Sequence, residues 1–392
     1  MENHSNFNIN EKKLIFGIGF IASMRTLGVS LIIPFLSIYA TEIPYTTEAL
    51  SGIAVGIFGI SQTLLQIPMG RLSDRCGRKQ IAILGLSIFF IGSILSGLSK
   101  NIYHLIFARF ITGSGAFSGV TMAWLTDGID KNRRTSALTY VALGIGIAVI
   151  IGFTTSPIIA GKIGIPHLFY LCAALISISI IYILLFMNNQ GYDVNYNFHI
   201  RIRKDSLSSI LRNRDLIRLN LLGFIGSLVH ISIFFTLPIL IKDKMEITQM
   251  WKLYVPISII GTSFMFYFGQ KADEIGIIRV AITAILFTII GSIIPIFFNS
   301  LFSYILSFII FYSGHSILSP VLPAAVSKHP NTQLNGTVMG ILNSSQFMGF
   351  SAGGFLSGFM LNFDHRYLFI ILLIFLIVSL YSMFRYNDFR EA

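Results

Sequence analysis

The sequence predicts an all-α polytopic membrane protein in which twelve transmembrane helices form two pseudo-symmetric six-helix halves. Three observations predict this fold class: the composition, the length of the apolar runs, and a repeat between the halves. Of the 392 residues, 54% are hydrophobic and only 11% are charged, whereas an average soluble domain is roughly 25% charged. A soluble chain with so few charges could not cover its surface, so the apolar side chains must face lipid.

The apolar runs are long enough to cross about 30 Å of hydrocarbon. In the first half they lie near 14–40, 49–70, 79–98, 102–125, 136–161 and 167–187. In the second half they lie near 217–241, 249–270, 277–298, 300–326, 334–361 and 366–385. Each run is continuously apolar rather than alternating, which favours helices over the strands of an outer-membrane barrel. The first run is longer than the apolar core of a signal peptide, so we interpret it as a permanent span.

One long polar segment separates the two sets of spans. It predicts an N-terminal six-helix half over 1–187, a cytoplasmic central linker over 188–216 and a C-terminal six-helix half over 217–392. A triplet that follows the second span of each half supports the division. It consists of Gly70, Asp74 and Gly77 in the first half and of Gly269, Asp273 and Gly276 in the second. Such internal symmetry predicts two parallel halves around a central site.

The positive charges indicate the orientation of the chain. The net charge is +11, but the lysines and arginines fall in short blocks between apolar runs, which argues against a nucleic-acid partner. Twenty of these 28 residues lie in the loops of one side and six in those of the other. The positive-inside rule therefore predicts a multi-pass protein of the cell membrane with both termini in the cytoplasm. Cys76 and Cys172 are too few and too far apart to predict a disulfide framework or a cysteine metal site.

The loop after the second span carries the most specific signature, Gly-Arg-Leu-Ser-Asp-Arg-Cys-Gly-Arg-Lys over 70–79. It resembles the loop between the second and third helices of the major facilitator superfamily, G-x-L-[AS]-D-[RK]-x-G-R-[RK], at every defined position. The positions that the resemblance marks as a gating signature are Gly70, Asp74, Arg75, Gly77, Arg78 and Lys79. The resemblance implies a twelve-helix transporter of the kind that the hydropathy pattern already predicts.

Two acidic residues, one within this signature and one beyond it, have predicted contacts on the cytoplasmic side. Asp74 is expected to face the positive end of the eleventh span, near Asn335, where an anion is stabilised by the helix dipole. Such a contact would tie the halves together on the cytoplasmic side and favour an outward-open state. Asp127 ends the fourth span on the same side, and the resemblance implies that it pairs with Arg78 or Arg71. The alternative for Asp127 is a solvated acid after a helix end.

Two arginines lie inside predicted spans. Arg109 begins a segment, Arg-Phe-Ile-Thr-Gly-Ser-Gly-Ala, that is similar to the superfamily pattern R-x-x-[QT]-G-x-G-A, and Arg25 lies in the first span. A charge at mid-membrane costs at least about 2.5–3.5 kcal/mol on insertion scales, so both should face the bundle interior or water. Contact with substrate or with the proton path is one role, and bonding to backbone carbonyls is the other.

The fifth span carries Gly152, Pro157 and Gly161 in a segment similar to the G-x-x-x-G-P-x-x-G-G pattern of the drug/proton antiporter branch. Ser156 and Ala160 replace two of its glycines. The resemblance predicts efflux, and the alternative is small-residue packing around a proline kink.

None of the 17 acidic residues lies inside a predicted span. The titratable groups left within the membrane are His230 in the seventh span and His315 in the tenth, with Asp127 at the rim. Because an imidazole ordinarily titrates near pH 6.5, we predict that proton coupling, if present, uses one of these histidines. Polar residues placed to line a central cavity, or else to bond neighbouring helices, are Gln62, Gln66, Asn220, Asn343 and Gln346, with Tyr140 and Phe234 as stacking partners.

The sequence carries no phosphate-binding loop, no His-Glu-x-x-His and no nucleophile elbow. It therefore predicts no enzymatic activity, no catalytic residue, no cofactor and no metal site. The functional prediction is a monomeric secondary transporter in the lipid bilayer that exports a small organic molecule in exchange for protons. The alternatives are a nutrient uptake symporter or facilitator of the same fold, and a membrane receptor that transports nothing.

Overall fold

A computed structural model of the chain describes residues 7–129, 133–187, 213–327 and 335–386, and every regular element within these ranges is helical. In the first half the helices are α1 (Ile9–Glu42), α2 (Glu48–Cys76), α3 (Arg78–Gly97), α4a (Ile102–Ser114), α4b (Ser118–Asp127), α5 (Arg134–Ile163) and α6 (Pro166–Phe186). In the second half they are α7 (Arg214–Lys242), α8 (Trp251–Ile275), α9 (Ile277–Phe297), α10 (Leu301–Ser327), α11 (Asn335–Met360) and α12 (His365–Phe384). A short 3-10 helix, Ile247–Gln249, precedes α8.

The predicted fold class is confirmed. With α4a and α4b counted together, ten of the described spans are long and apolar enough to cross a membrane. The remaining two, α8 and α11, pack among them, and α11 lies between α2 and α7. The linker predicted over 188–216 falls for the most part outside the described residues, which resume at Asn213 as the N-cap of α7.

Local sequence sets where the helices begin and end. Asn8 caps α1 through a capping box with Glu11, in which each side chain bonds the other's backbone N–H at 2.8 Å. This cap extends the first helix to Ile9, before the predicted start at 14. Gly77 separates α2 from α3 at φ 96°, and Gly276 separates α8 from α9 at φ 99°. A side chain is strained in this conformation, so the repeated glycine makes the same turn in both halves.

The fourth span differs from its prediction. The sequence predicts one helix over 102–125, but the helix is interrupted at 115–117 between α4a and α4b. A β-carbon added at Gly115 would lie 2.9 Å from the backbone nitrogen of Phe89. Hydrophobic periodicity cannot register such an interruption, because the residues on both sides of it are still apolar.

The helices α2 and α11 cross through glycines. We call the end of the bundle that holds Gly77 and Gly276 the basic face and the other end the opposite face. Toward the opposite face, a β-carbon at Gly52 would lie 2.7 Å from the Cα of Gly358. One at Gly354 would lie 2.7 Å from the backbone nitrogen of Gly56. These residues form a glycine seam, in which the two backbones are in direct contact.

Other contacts also join the halves toward the opposite face. Glu42 at the end of α1 forms an ion pair with Lys242 at the end of α7. A β-carbon at Gly161 would lie 2.9 Å from the Cα of Thr248, in the 3-10 helix before α8. Nearer the basic face, by contrast, the described residues outside the local helix backbone place no heavy atom within 4 Å of the β-carbon positions of Gly70 and Gly340. The described halves are therefore in contact at the opposite face, whereas among the described residues these two glycines face open space.

Candidate functional site

The gating signature forms an ion network centred on Arg78 at the start of α3. Its Nη1 lies 2.5 Å from Oδ1 of Asp74, and its Nε lies 2.9 Å from Oδ2 of Asp127. The arginine also donates to Oγ of Ser73 at 2.5 Å, and Lys79 donates to the carbonyl of Met187 at 2.5 Å. One guanidinium thus joins α2, α3 and α4b, and the pairing of Asp127 with Arg78 that the resemblance implied is present.

Two other predictions about the signature involve side chains outside the described part of the chain. The expected contact of Asp74 with the start of the eleventh span concerns Asn335, whose side chain is not among the described ones. The same is true of Asp273, the acidic member of the repeat in the second half. Its glycine partner Gly269 lies beside α10, where a β-carbon would be 3.7 Å from Cγ of Pro320.

The interior of the N-terminal half holds the two predicted arginines. Arg109 is 6% exposed, and its guanidinium lies 4.7 Å from the ring centroid of Phe58. The guanidinium of Arg25 lies 5.3 Å from the ring centroid of Phe117 and 5.8 Å from that of Phe89. The Nε atoms of both arginines are buried without a hydrogen-bond partner among the described residues. Cation–π contacts with aromatic faces thus replace the ion pairs that buried guanidinium groups usually form.

Two glutamines of α2 lie on the helix face that carries Phe58, because the three residues are four positions apart. The side chain of Gln62 is fully buried, and neither of its amide atoms has a hydrogen-bond partner among the described residues. Oε1 of Gln66 is likewise buried and without one. A β-carbon at Gly119, in α4b, would lie 3.0 Å from Nε2 of Gln66. The polar face of α2 therefore runs along the interrupted fourth span.

The interior of the C-terminal half holds the two predicted histidines, which are in contact with each other. The rings of His230 in α7 and His315 in α10 are stacked, with centroids 3.9 Å apart and planes at 19°. Phe234 and Phe311 flank them, with centroids 4.6 Å and 6.2 Å from that of His230. Nδ1 of His230 is buried with no hydrogen-bond partner among the described residues.

An aromatic cluster joins the halves beside this histidine pair. Phe153 of α5 lies 5.6 Å from Phe234, 5.9 Å from Tyr254 and 5.8 Å from Tyr312 between ring centroids. The hydroxyl of Tyr254 donates to the carbonyl of Pro34 in α1 at 3.4 Å. Sequence reasoning identified Phe234 but missed the other three rings. Many aromatic residues lie in the spans, and only the packing of four helices brings these rings together.

The remaining cavity candidates lie on α5, α7 and α11, and Oδ1 of Asn220 is buried without a hydrogen-bond partner among the described residues. The amide of Asn220 donates to the carbonyl of Leu216 one turn earlier, at 2.7 Å. Asn343 and Gln346 are half-buried on α11, and Cγ of Gln346 lies 3.3 Å from the β-carbon position of Gly223 in α7. Tyr140 is 55% exposed and lies near Phe7, away from the aromatic cluster.

The fifth-span motif packs helices against one another. A β-carbon at Gly152 would lie 2.5 Å from Cβ of Ser30 in α1, and Ser156 donates a hydrogen bond to the carbonyl of Leu31. Gly161 makes the contact with Thr248 described above. The helix α5 continues through Pro157 from Arg134 to Ile163.

Comparisons with known proteins agree with this architecture. The sequence profile of the Major Facilitator Superfamily matches residues 18–354. The inner membrane transport protein YajR of Escherichia coli (strain K12) is 30% identical over 357 residues, covering 89% of this chain and 78% of that protein. Multidrug resistance protein 2 of Bacillus subtilis (strain 168) is 35% identical over 177 residues, 43% of each chain.

Solved structures share the same fold. A bacterial homolog of the human lysosomal transporter Spinster has a TM-score of 0.77 with this chain at 13% sequence identity. The alignment covers 97% of both chains.

Proposed function

This chain belongs to the Major Facilitator Superfamily, a family of membrane transporters rather than enzymes, and we propose that it exports a small organic solute in exchange for protons. The observation that carries the coupling part of this proposal is the stacked pair of His230 and His315. Export is supported by the relative named as a multidrug resistance protein and by the fifth-span pattern.

The proton site in this proposal is the imidazole pair. Two imidazolium groups with ring centroids 3.9 Å apart would repel each other strongly in a medium of low dielectric. The pair therefore holds one proton at a time. Every described carboxylate lies at a helix end or in a loop, and the other histidines of the described spans lie in the first turns of their helices. Among the described residues, the pair therefore provides the imidazole groups in the middle of the spans.

Alternating access in this proposal is a rocking of the two halves about the central aromatic cluster. The positive-inside bias assigns the basic face to the cytoplasm, together with both termini. In this conformation the glycine seam and the Glu42–Lys242 ion pair hold the opposite face closed, so the substrate would enter from the cytoplasm. The Arg78 network keeps α2, α3 and α4b together as they move. It leaves Asp74 near the end of α2, where it could meet α11 when the basic face closes.

The second candidate is uptake of a nutrient by the same fold. It is favoured by the replacement of two glycines of the exporter pattern by Ser156 and Ala160. It is favoured also by the contacts of this segment, which are those of ordinary helix packing and have no chemistry specific to export.

The test is gradient-driven flux in liposomes that contain the purified full-length protein. Cys76 is exposed at the basic face and Cys172 is buried, so an impermeant thiol reagent reports and selects the orientation of the protein. A solute panel, first screened by thermal shift, is then measured under imposed pH gradients of both signs. Export predicts solute movement from the basic face to the opposite face when the opposite face is acidic. Co-movement of solute with protons toward the basic face would support uptake, and no coupled flux of any panel member would contradict both candidates.

A further inference from the structure

The N-terminal half buries positive charge with no carboxylate to balance it in the described spans. From this we infer that the solute is an organic anion, whose carboxylate binds among Arg25, Arg109 and Gln62 beside the interruption of the fourth span. This inference names the substrate class of the proposed transporter and rests on that proposed function. The site, which we call the anion site, lies within one half of the molecule.

The unpaired groups of the anion site converge from three helices. Arg109 covers Phe58 from α4a, and Gly119 of α4b lies beside Gln66. Gln62 lies between Phe58 and Gln66 on the same face of α2, and neither atom of its buried amide has a hydrogen-bond partner among the described residues. Arg25 of α1 approaches the same place, with its guanidinium 5.3 Å from the ring of Phe117.

The start of α4b adds a second source of positive potential. This ten-residue helix begins at Ser118, and its N-cap residue Phe117 makes no side-chain capping hydrogen bond. The first backbone N–H groups of a helix have no intrahelical acceptor, and together with the helix dipole they favour an anion. Interrupted helices whose N-terminal ends point at anionic groups are a known way to bind substrate in transporters.

Among the described side chains, no carboxylate is placed to act as a counterion for the anion site. Glu11 pairs with Arg133 at 2.9 Å, and Asp74 and Asp127 pair with Arg78 at the basic face. The other described carboxylates lie at helix ends or in loops as well. Arg109 is buried and Arg25 is partly buried, and the Nε atom of each has no hydrogen-bond partner among the described residues. Such burial is unfavourable, so an incoming carboxylate would bring the missing charge and hydrogen-bond acceptors.

Apolar surface beside the anion site indicates the rest of the solute. The ring of Phe58, which carries Arg109 on one side, lies 5.7 Å from the ring of Phe350 in α11. Because Phe350 belongs to the other half, an aromatic or aliphatic body attached to the carboxylate would contact both halves. The predicted solute is therefore a small carboxylate with an apolar body.

The test is binding of a matched set of probes to the purified full-length protein, measured as ligand-induced thermal stabilisation. Phenylacetate, phenylacetamide and phenethylamine have the same aromatic body and differ in charge. We expect phenylacetate to raise the unfolding temperature more than the other two at equal concentration. This comparison needs only the wild-type protein. An equal rise in unfolding temperature with all three probes, or a larger rise with phenethylamine, would overturn the inference.

Variants locate the site. Arg109→Gln and Arg25→Gln should each weaken phenylacetate binding by about ten-fold or more, since charged hydrogen bonds are lost. Arg279→Gln removes the same charge from an exposed position in α9 and should bind as the wild type does. Unchanged phenylacetate affinity in folded Arg109→Gln and Arg25→Gln proteins would overturn the assignment.

Binding and flux measured together distinguish a failure of the anion site from a failure of the proposed transport function. Coupled flux of a cationic or neutral solute, without carboxylate binding, would overturn the anion site and leave the transporter intact. Carboxylate binding that depends on Arg109, without flux under either pH gradient, would support the anion site and contradict the proposed function.

Discussion

The two halves of this protein have the same scaffold but different interiors. Each contains six spans, and each makes the turn after its second span with a glycine at nearly the same φ, Gly77 and Gly276. Inside, however, the N-terminal half buries arginines and glutamines, whereas the C-terminal half buries a stacked pair of histidines. The repeat thus preserves backbone geometry, while the chemistry of the two cores has diverged. We expect solute recognition to depend on the first half and proton coupling on the second.

The largest effect should come from Arg109→Gln. If the anion site holds the solute, this variant loses both gradient-driven flux and solute counterflow, each by about ten- to a hundred-fold, as for the loss of charged hydrogen bonds. Both modes are measured in proteoliposomes with equal amounts of folded protein. Loss of gradient-driven flux alone would mean that Arg109 acts in coupling, and the division between the halves would fail.

The next effect should come from the double substitution His230→Asn and His315→Asn. Without titrating groups at this position, flux should no longer respond to a pH gradient, whereas counterflow of solute should persist. In the wild type, export should increase as the pH at the opposite face falls, because the pair is then protonated from that side. Flux is measured over a series of external pH values at constant internal pH.

The control for this double variant is His104→Asn with His167→Asn, two exposed residues. It should keep the wild-type pH dependence. An unchanged pH profile in the His230/His315 variant would remove the proposed proton site.

A smaller effect is expected from Asp74→Asn, which removes one charge and little volume. The loss of its ion pair with Arg78, and of the proposed contact with α11 in the other state, should reduce flux several-fold without reducing membrane insertion. Asp243→Asn, at an exposed position between α7 and α8, is the matched control. Near-normal flux in the Asp74 variant would show that the network at the basic face is dispensable.

The smallest effect on transport is expected from Gly77→Ala and Gly276→Ala, which test the symmetry of the scaffold. A β-carbon in this region of φ costs about 1–3 kcal/mol of stability, so each variant should unfold at a lower temperature and still transport. The two decreases should be similar, because the two turns have the same geometry. A decrease confined to Gly77→Ala would show that the turns are not equivalent.

The sequence was sufficient for the fold, since the run lengths, the charge bias and the repeated glycine turn are all local in the chain. It also identified Arg109, His230 and His315, because charged and titratable residues are conspicuous within apolar spans. It could not predict that the two histidines stack, since His230 and His315 come from different helices and only tertiary packing sets their separation. The interruption at 115–117 was missed although Gly113 and Gly115 mark it, because hydropathy does not distinguish an interrupted helix from a continuous one.

The glycine seam has a consequence for how the lipid could control this protein. Helices that meet through long side chains must order those side chains each time they close, which costs conformational entropy. Gly52, Gly56, Gly354 and Gly358 have no rotamers, so their contact can break and re-form without that cost. We therefore expect the opening of this seam to depend on bilayer thickness and lateral pressure rather than on side-chain ordering.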